Sequence, residues 1–193
     1  MHPLFNYINN YATNLITEDD FKIIESYFVP KKIKKRQCLL EQGAICKQFA
    51  FIIKGAMRKY HTDQKGVEHI VNLYIENWWA GDRESFSFST PSAYSVDAWE
   101  DCEVLLVTRE SVAKLTSDFP AFNEMLLKLD ERNNISTHRR ITSAISGTAE
   151  QRYEDFVDCH PYFVNRFPQH IIASYLGISK DTLSRVRKKG LQK

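Results

Sequence analysis

A short polar stretch close to the end of the chain carries side chains that could read the edges of base pairs. Residues 179–189 hold an arginine, a carboxylate and several lysines at spacings that place them on the outer face of one helix. An arginine can donate two hydrogen bonds to guanine O6 and N7, and a carboxylate can accept one from cytosine N4. The predicted DNA-contacting residues are Ser179, Lys180, Asp181, Ser184, Arg185, Lys188 and Lys189.

The charge of this region differs from that of the whole chain. The 193 residues have a formal net charge of +2, whereas residues 168–193 hold six basic side chains against one acidic side chain, an excess of five positive charges. Such an excess suits the phosphate backbone of DNA. A helical hairpin with a solvated basic tail is the alternative interpretation. The six basic residues are Lys180, Arg185, Arg187, Lys188, Lys189 and Lys193.

Two helices joined by a turn must position these side chains. Gly177 stands where a chain leaving a first helix needs a left-handed residue, and Ser179 can cap a second helix. Leu183 and Val186, spaced i and i+3, form the inner face of that second helix. The small Ala173 lies where the second helix would cross the first. This is the helix-turn-helix pattern, in which the second helix enters the major groove of DNA.

The composition of the chain is that of a soluble globular protein. Its hydrophobic content of 43% and charged content of 26% are ordinary. No apolar run approaches the roughly 18 residues that a transmembrane helix needs. The N-terminal residues lack the basic and apolar regions of a signal peptide. We therefore expect a cytoplasmic protein with no membrane partner.

The cysteines are widely spaced along the sequence. No two of them form a CxxC pair, which gives a zinc or iron–sulfur site little support. We expect buried thiols in a reducing compartment, with no metal and no cofactor. The cysteines are Cys38, Cys46, Cys102 and Cys159.

Hydrophobic periodicity divides the chain into a β-rich part and a helical part. Residues 1–29 have mostly helical spacing, with a capped helix start at Thr17. Residues 31–107 have the pattern of short strands separated by turns, which predicts an antiparallel sandwich, barrel or roll. From Arg109 onward the period is helical again.

A long helix is predicted at the start of the second helical part. Asp118 can cap it, and Pro120 lies in its first turn, where a missing N–H costs nothing. A helix of roughly 27 residues, ending near Ser146, would span about 40 Å at 1.5 Å per residue. A helix of this length in a small protein usually packs along a partner helix, here a second copy of the chain. An intrachain spacer is the alternative. The predicted dimer stripe is Phe122, Met125, Leu126 and Leu129.

Four motifs are distributed over nearly the whole chain. They are a Glu-Gln-Gly turn at residues 41–43, a strand and glycine turn at 51–55, a strand pair at 98–104, and the helix start Ser-Lys-Asp-Thr-Leu-Ser-Arg at 179–185. Together they resemble segments of the catabolite-activator/fumarate–nitrate (Crp–Fnr) superfamily of transcription regulators. The corresponding family segments are the turn after the second strand, a YxIxxG strand, the final strand pair and an SRETVxR recognition helix.

The resemblance implies a fold, a function and a set of partners. The fold would be α+β, with an N-terminal antiparallel β-roll (a double-stranded β-helix or jelly roll) of the cyclic-nucleotide-binding type, a long helix and a helix-turn-helix. The chain would be a sequence-specific transcription regulator that binds double-stranded DNA as a homodimer, with RNA polymerase and an unknown small-molecule effector as further partners. By residue match, Lys180, Asp181 and Arg185 fall on the family's three base-reading positions.

We predict three parts on this basis. Residues 1–108 form the β-roll with its N-terminal helices, residues 109–147 the long dimerisation helix, and residues 148–193 the helix-turn-helix DNA-binding domain. Because the last part is small for independent stability, we expect it to pack against the long helix or a second copy.

The resemblance also identifies an effector pocket whose residues depart from the family pattern. In members that bind cyclic nucleotides, a Gly-Glu pair holds the ribose and an arginine some ten residues later neutralises the phosphate. Here the pair is Gly81 and Asp82, and Ser92 occupies the arginine position, followed by Ala93. Arg83 is close in sequence, but alternation along an extended chain would point it away from Asp82. Because an unpaired buried phosphate costs several kcal/mol, we expect an effector other than cAMP, or none.

Two other functions compete with this interpretation. One is a cyclic-nucleotide-sensing regulator that acts through protein contacts. The other is a cupin-like β-roll enzyme, for which His61, Glu68 and His69 would be the inward metal ligands. These three are too sparse for such a site, and the sequence holds no phosphate-binding loop of the GxxxxGK[ST] type. We therefore expect that the protein is not an enzyme.

Overall fold

The structure is a computed structural model that describes residues 2–190. The chain divides into two compact units, Met1–Asp130 and Glu131–Lys193, and each unit has its own buried apolar residues. Lys193, one of the predicted basic residues, lies outside the described residues.

The first unit begins with two short helices, α1 (Pro3–Tyr11) and α2 (Glu18–Ser26). The predicted capped start at Thr17 is confirmed, because α2 opens with a capping box. The Asp20 amide donates to Thr17 Oγ1 at 3.1 Å, and the Thr17 amide donates to Asp20 Oδ2 at 2.9 Å. These two bonds satisfy backbone donors that a helix start would otherwise leave without partners.

Two antiparallel four-stranded sheets follow, in the orders β1-β8-β3-β6 and β2-β7-β4-β5. A short helix, α3 (Arg83–Phe88), connects β6 to β7. The predicted antiparallel β-roll is therefore confirmed. The strands are β1 (Val29–Ile33), β2 (Cys38–Leu40), β3 (Gln48–Lys54), β4 (Met57–Thr62), β5 (Glu68–Tyr74), β6 (Trp79–Ala80), β7 (Ser95–Ala98) and β8 (Cys102–Thr108).

Strands β3 and β8 of the first sheet are buried on both faces, and their successive side chains point to opposite sides. Ala50 and Ile52 of β3 face the second sheet, whereas Phe51 between them faces the helices. The core between the sheets consists of Ile33, Leu40, Cys46, Ala50, Ile52, Met57, Tyr74, Ala80, Val96, Ala98, Cys102, Val104 and Leu106.

Gly55 closes the strand and turn that the sequence motif at residues 51–55 identifies. Its φ is +101°, and a Cβ there would lie 2.6 Å from the Asp101 carbonyl oxygen. Both the left-handed conformation and the close approach of the backbone therefore require glycine.

Helices α4 (Arg109–Asp118) and α5 (Pro120–Ser146) follow the roll, and α5 has the predicted bounds. The predicted dimer stripe on α5 requires correction. Phe122 and Met125 are 0% exposed and pack into the core of their own chain with α1, α2 and β3, so they are not available to a second copy. Leu126 and Leu129 are half-buried.

The second unit holds the remaining helices: α6 (Ala149–Cys159), α7 (Phe163–Arg166), α8 (Gln169–Leu176) and α9 (Lys180–Gly190). Their shared core contains three aromatic rings in contact, Phe156, Phe163 and Phe167, beside apolar residues of α8 and α9. None of the helices within residues 2–190 combines the length and the apolar character needed to cross a lipid bilayer.

Candidate nucleic-acid interface and effector cassette

Helices α8 and α9 are joined by the turn that the sequence predicts. Gly177 ends α8 in the left-handed conformation, with φ +64°. The Ile178 amide donates to the Ala173 carbonyl at 3.0 Å, and the Gly177 amide donates to the Ser174 carbonyl at 3.1 Å. These bonds satisfy carbonyls at the end of α8. Ala173 is 2% exposed, and its small side chain lies in the core that α8 shares with α9.

The inner and outer faces of α9 are separated as predicted. Leu183 is 0% and Val186 is 6% exposed, so both pack into the core of the second unit. The Thr182 amide donates to Ser179 Oγ at 3.1 Å, which confirms Ser179 as the cap. The predicted DNA-contacting residues lie on the remaining faces: Ser184 is half-buried, and Ser179, Lys180, Asp181, Arg185, Lys188 and Lys189 are exposed.

Two of the cationic side chains, Arg185 and Lys189, have partners within the unit. Arg185 Nη2 donates to Thr182 Oγ1 at 3.3 Å. Lys189 Nζ donates to Glu150 Oε1, on the first turn of α6, at 3.4 Å. Hydrogen bonds from the Glu150 backbone amide and then from Lys189 hold the pKa of the Glu150 carboxyl below its usual value. Both contacts are exposed and long, so a phosphate can replace them at little cost.

Two arginines that the sequence did not reveal hold α8 in place. Arg152 of α6 donates from Nη1 to the Leu176 carbonyl at 3.0 Å, at the C-terminal end of α8. Its buried Nε has no hydrogen-bond partner among the described residues. Arg140 of α5 lies over the Tyr175 ring at 5.0 Å. Helical periodicity could not reveal these contacts, because they join residues 24 and 35 positions apart.

The predicted effector residues divide into a buried group and an exposed group. Asp82 and Ser92 are 6% and 3% exposed, and Ser92 Oγ donates to Asp82 Oδ2 at 2.8 Å. The Tyr94 amide in turn donates to Ser92 Oγ at 3.0 Å. A Cβ at Gly81 would lie 3.0 Å from the Phe49 ring. Ser92 stands where the family has its arginine, and Asp82 stands where the family has its glutamate. In this chain the two therefore bind each other.

Arg83 and Ala93 are exposed. Arg83 forms an ion pair with Asp130 of α5. Burial raises the pKa of Asp130, although the Arg83 guanidinium opposes the shift. We expected the Arg83 side chain to point away from Asp82 because the chain would be extended there. That reason is wrong, because Arg83 begins helix α3 and is not part of an extended strand. The Ala93 carbonyl lies 3.0 Å from His61 Nδ1.

Lys59 is a cation of this region that was not predicted from the sequence. It pairs with Val96 in the register of β4 and β7, and Val96 belongs to the core between the sheets. Paired residues of neighbouring strands share a face, so Lys59 lies on the inner face of the roll. Its Nζ is 4.9 Å from the centroid of the Tyr94 ring. Alternation from the buried Met57 in β4 was the signal that could have identified it.

The residues considered for a metal site have other partners. His69 Nε2 lies 2.9 Å from Asp63 Oδ2, and Glu68 Oε2 accepts from Arg58 Nη1 at 2.6 Å. Within residues 2–190, no three His, Cys, Asp or Glu side chains come together as they would around a metal ion.

The expectation of four buried thiols is correct for two cysteines. Cys46 and Cys102 are buried, and burial raises the pKa of both thiols, to about 11 for Cys102. The expectation is wrong for Cys38 and Cys159, which are exposed, because residue type alone does not determine which side of an element a cysteine occupies.

Most of the roll matches a known protein family. Residues 30–119 match the family described as the cyclic nucleotide-binding domain. No curated protein matches the chain in sequence. FixK2 from Bradyrhizobium japonicum is 16% identical, with a TM-score of 0.72 over 84% of this chain and 83% of FixK2. The catabolite activator protein of Thermus thermophilus is 20% identical, with a TM-score of 0.59 over 92% of this chain and 84% of that protein.

A third solved structure carries the name of a regulator family. A protein described as a transcriptional regulator of the Crp/Fnr family, from Eubacterium rectale, is 14% identical, with a TM-score of 0.66 over 92% of this chain and 85% of that protein. At these identities the likeness shows a common fold.

Proposed function

We propose that this chain, which contains a domain of the cyclic nucleotide-binding family at residues 30–119 and has the fold of Crp/Fnr-family regulators, is a sequence-specific DNA-binding transcription regulator. The observation that carries the proposal is the outer face of α9. Lys180, Asp181 and Arg185 are exposed there, opposite the buried Leu183 and Val186. Arginine and carboxylate side chains on one helix face are suited to base edges in the major groove.

The lysines that follow this face have a different role in the proposal. Lys188 and Lys189 are exposed in the last turns of α9. Ammonium groups bind phosphates as point charges and carry little sequence information. Arg185 therefore supports specificity, whereas Lys188 and Lys189 support affinity for every duplex.

Selection of bound duplexes from random DNA tests the proposal directly. The purified protein should enrich one sequence with two related half-sites, about 34–36 Å apart. Arg185→Ala should lose discrimination at one base pair of each half-site, by ~1–3 kcal/mol. Lys188→Ala should weaken selected and random duplexes by the same factor. Failure to enrich any sequence, or equal effects of Arg185→Ala on both duplexes, would contradict the assignment.

A dimer is part of this proposal, and an exposed face of α5 supports it. Positions 127, 131, 134, 138, 141 and 145 follow one another in alternating steps of four and three, the spacing of a coiled-coil seam. All six side chains are exposed. Leu127, Ile141 and Ile145 are 62%, 48% and 81% exposed. This seam replaces the stripe predicted from the sequence. It has apolar residues near its ends and polar residues at its centre, which favours a single alignment of the two helices. Its residues are Leu127, Glu131, Asn134, His138, Ile141 and Ile145.

The effector of the proposed regulator is a molecule other than cAMP, or the roll has none. Asp82 is occupied by the Ser92 hydroxyl, which a ribose would have to displace. The family's phosphate-binding arginine is replaced by Ser92, and Arg83 is paired with Asp130. Lys59 is the cation that a negatively charged effector would meet on the inner face of the roll.

A further inference from the structure

Hydrogen bonds between side chains run along the start of α9. The Thr182 amide donates to Ser179 Oγ at 3.1 Å, and the hydroxyl oxygens of Ser179 and Thr182 are 2.9 Å apart. Arg185 Nη2 donates to Thr182 Oγ1 at 3.3 Å. The hydroxyl of Thr182 therefore joins the cap of the helix to the guanidinium of Arg185.

The bond to Thr182 directs the Arg185 side chain toward the N-terminal end of α9. Because Thr182 precedes Arg185 by three residues, the two side chains lie on neighbouring turns of one helix face. Long side chains of a helix lean over the turn that precedes them, and this bond holds the guanidinium there. The N-terminal residues of a recognition helix are the ones that contact base edges in the major groove. Arg185 is therefore held over the part of the helix from which bases are read.

The same bond also keeps Arg185 apart from Asp181, which precedes it by four residues. An aspartate and an arginine at this spacing can form an ion pair on a helix surface. In the part of the chain that the structure describes, the two form no such pair, and Arg185 binds Thr182 instead. Both side chains are exposed. The carboxylate thus stays available to cytosine N4 and the guanidinium to guanine, although the two could have neutralised each other.

The hydroxyls of Ser179 and Thr182 have enough hydrogen-bonding capacity for a second task. Each hydroxyl has one proton and can accept two bonds. Whichever of the two donates across the 2.9 Å contact, the proton of the other remains available. Thr182 can therefore accept from Arg185 while one of the two hydroxyls donates to a DNA phosphate. A phosphate contact alone would add affinity without sequence information, so the two tasks differ in their effect on specificity.

We propose that Thr182 is a positioning residue for sequence reading, which orders the guanidinium of Arg185 before DNA arrives and holds it away from Asp181. The inference rests on the proposed function, because it names a residue that determines how well the outer face of α9 discriminates between base pairs. The bond is long and exposed, so it restricts the side chain in the free protein and yields at little cost when the guanidinium meets a base. Ordering a long side chain in advance reduces the entropy lost on binding.

The test compares two substitutions of the same residue. Thr182→Val removes the hydroxyl and keeps the shape of the side chain, whereas Thr182→Ser keeps the hydroxyl. Binding is measured to the selected duplex, to the same duplex with the base pair read by Arg185 replaced, and to a random duplex. Thr182→Val should lower the discrimination between the first two duplexes by about three- to tenfold, because the arginine must then be ordered on binding. Thr182→Ser should retain the discrimination of the wild type. Thermal melting confirms that the variants are folded.

A double-mutant cycle assigns the effect to Arg185. Arg185→Ala should lower discrimination less in the Thr182→Val protein than in the wild type, because both substitutions act on one interaction. Additive effects would overturn the inference, as would a loss of discrimination in Thr182→Ser equal to that in Thr182→Val. If Thr182→Val weakens the selected and random duplexes by one common factor, Thr182 contacts a phosphate only, and the inference is again overturned.

A measurement without DNA separates this inference from the proposed function. NMR relaxation of the Arg185 Nε nitrogen reports the fast motion of the side chain, and Thr182→Val should increase that motion. Nε of Arg187, on the same helix, is the internal control and should not change. Unchanged motion at Arg185 would overturn the inference even in a protein that reads DNA. A wild-type protein that selects no DNA sequence would refute the proposed function, whereas the relaxation of Arg185 would still decide whether Thr182 holds its side chain.

Discussion

At the scale of single residues, Arg36 lowers the stability of the turn after β1. Arg36 has a φ of +69° in a turn that hydrogen bonds from its neighbours already fix. The left-handed conformation costs a non-glycine residue roughly 1–2 kcal/mol. Glycine would avoid that strain and lose about 0.5–1 kcal/mol through its greater freedom in the unfolded chain.

Arg36→Gly should therefore raise the free energy of unfolding by about 0.5–1 kcal/mol, which corresponds to a rise of a few degrees in melting temperature. Lys35→Gly is the matched control: it removes the same charge from the same turn, at a residue without a positive φ. The control should lower stability by about 0.5–1 kcal/mol. Urea unfolding measures both, and a loss of stability in Arg36→Gly would refute the strain argument.

The bond between Asp82 and Ser92 leads to a prediction about cyclic nucleotides. A ligand at a hundred times its dissociation constant adds ~2.7 kcal/mol to stability, and each kcal/mol shifts the melting temperature by ~2–4 °C in a domain of 150–250 residues. Millimolar cAMP or cGMP should produce no such shift, because Asp82 already accepts from Ser92 and the phosphate-binding arginine is missing.

A shift of several degrees with cAMP would contradict this expectation. Lys59→Gln then shows whether the ammonium on the inner face of the roll is the phosphate partner. Ser92→Arg tests whether a positive charge at residue 92 is the only feature that the effector residues lack for binding cAMP.

At the scale of elements, the second sheet is tied together by one charge cluster. Arg58 of β4 donates from Nε and Nη2 to the two carboxylate oxygens of Asp97 in β7, both at 2.8 Å, and from Nη1 to Glu68 of β5 at 2.6 Å. Burial disfavours the charge of Arg58, but the bonds with Asp97 and Glu68 outweigh it and hold the pKa of Arg58 above its usual value. The side chains of Arg58 and Asp97 are only 11% and 9% exposed.

Asp97→Asn should destabilise the first unit by about 3 kcal/mol, because removing one partner of a buried pair leaves a charge without full compensation. Glu103→Gln is the matched change in an exposed pair, with side chains 83% and 51% exposed, and should cost less than about 1 kcal/mol. The difference between their urea midpoints measures the effect of burial. Equal urea midpoints for Asp97→Asn and Glu103→Gln would show that Glu68 alone can compensate the positive charge of Arg58.

The elements also show how much of the structure the sequence could predict. The α8–α9 pair was predictable because Gly177, Ser179 and the apolar spacing of α9 are local signals. Helix α3 was not, because its six residues depend on distant contacts. Phe86 packs against Phe49 with ring centroids 4.9 Å apart, and Arg109 donates to Ser89 Oγ at 2.8 Å just after the helix.

The residues of the candidate sites also divide into those that a local pattern reveals and those that depend on distant contacts. The outer face of α9 follows from helical periodicity, so its residues could be named from the sequence. The contact of Ser92 with Asp82 joins two residues that lie outside the strands, and no local pattern specifies it. The inward position of Lys59 was missed, although alternation from Met57 in β4 could have revealed it. An apolar stripe on α5 was recognisable, but periodicity does not tell whether its own chain or a second copy covers it. Phe122 and Met125 are covered by their own chain.

At the scale of the whole molecule, the exposed face of α5 carries the last prediction. A helix of 27 residues with exposed apolar residues at positions 127, 141 and 145 gains stability when a second copy covers them, since burial of an apolar side chain is worth about 1.5–3 kcal/mol. Ile141→Asp together with Ile145→Asp should therefore give monomers in sedimentation experiments and abolish cooperative binding to a paired site, while a single half-site is still bound weakly. Leu126→Asp with Leu129→Asp, on the half-buried side of α5, should instead lower the melting temperature of the first unit. Wild-type protein that sediments as a monomer at high micromolar concentration would exclude the dimer, and a dimer that survives the isoleucine substitutions would place its interface on another face.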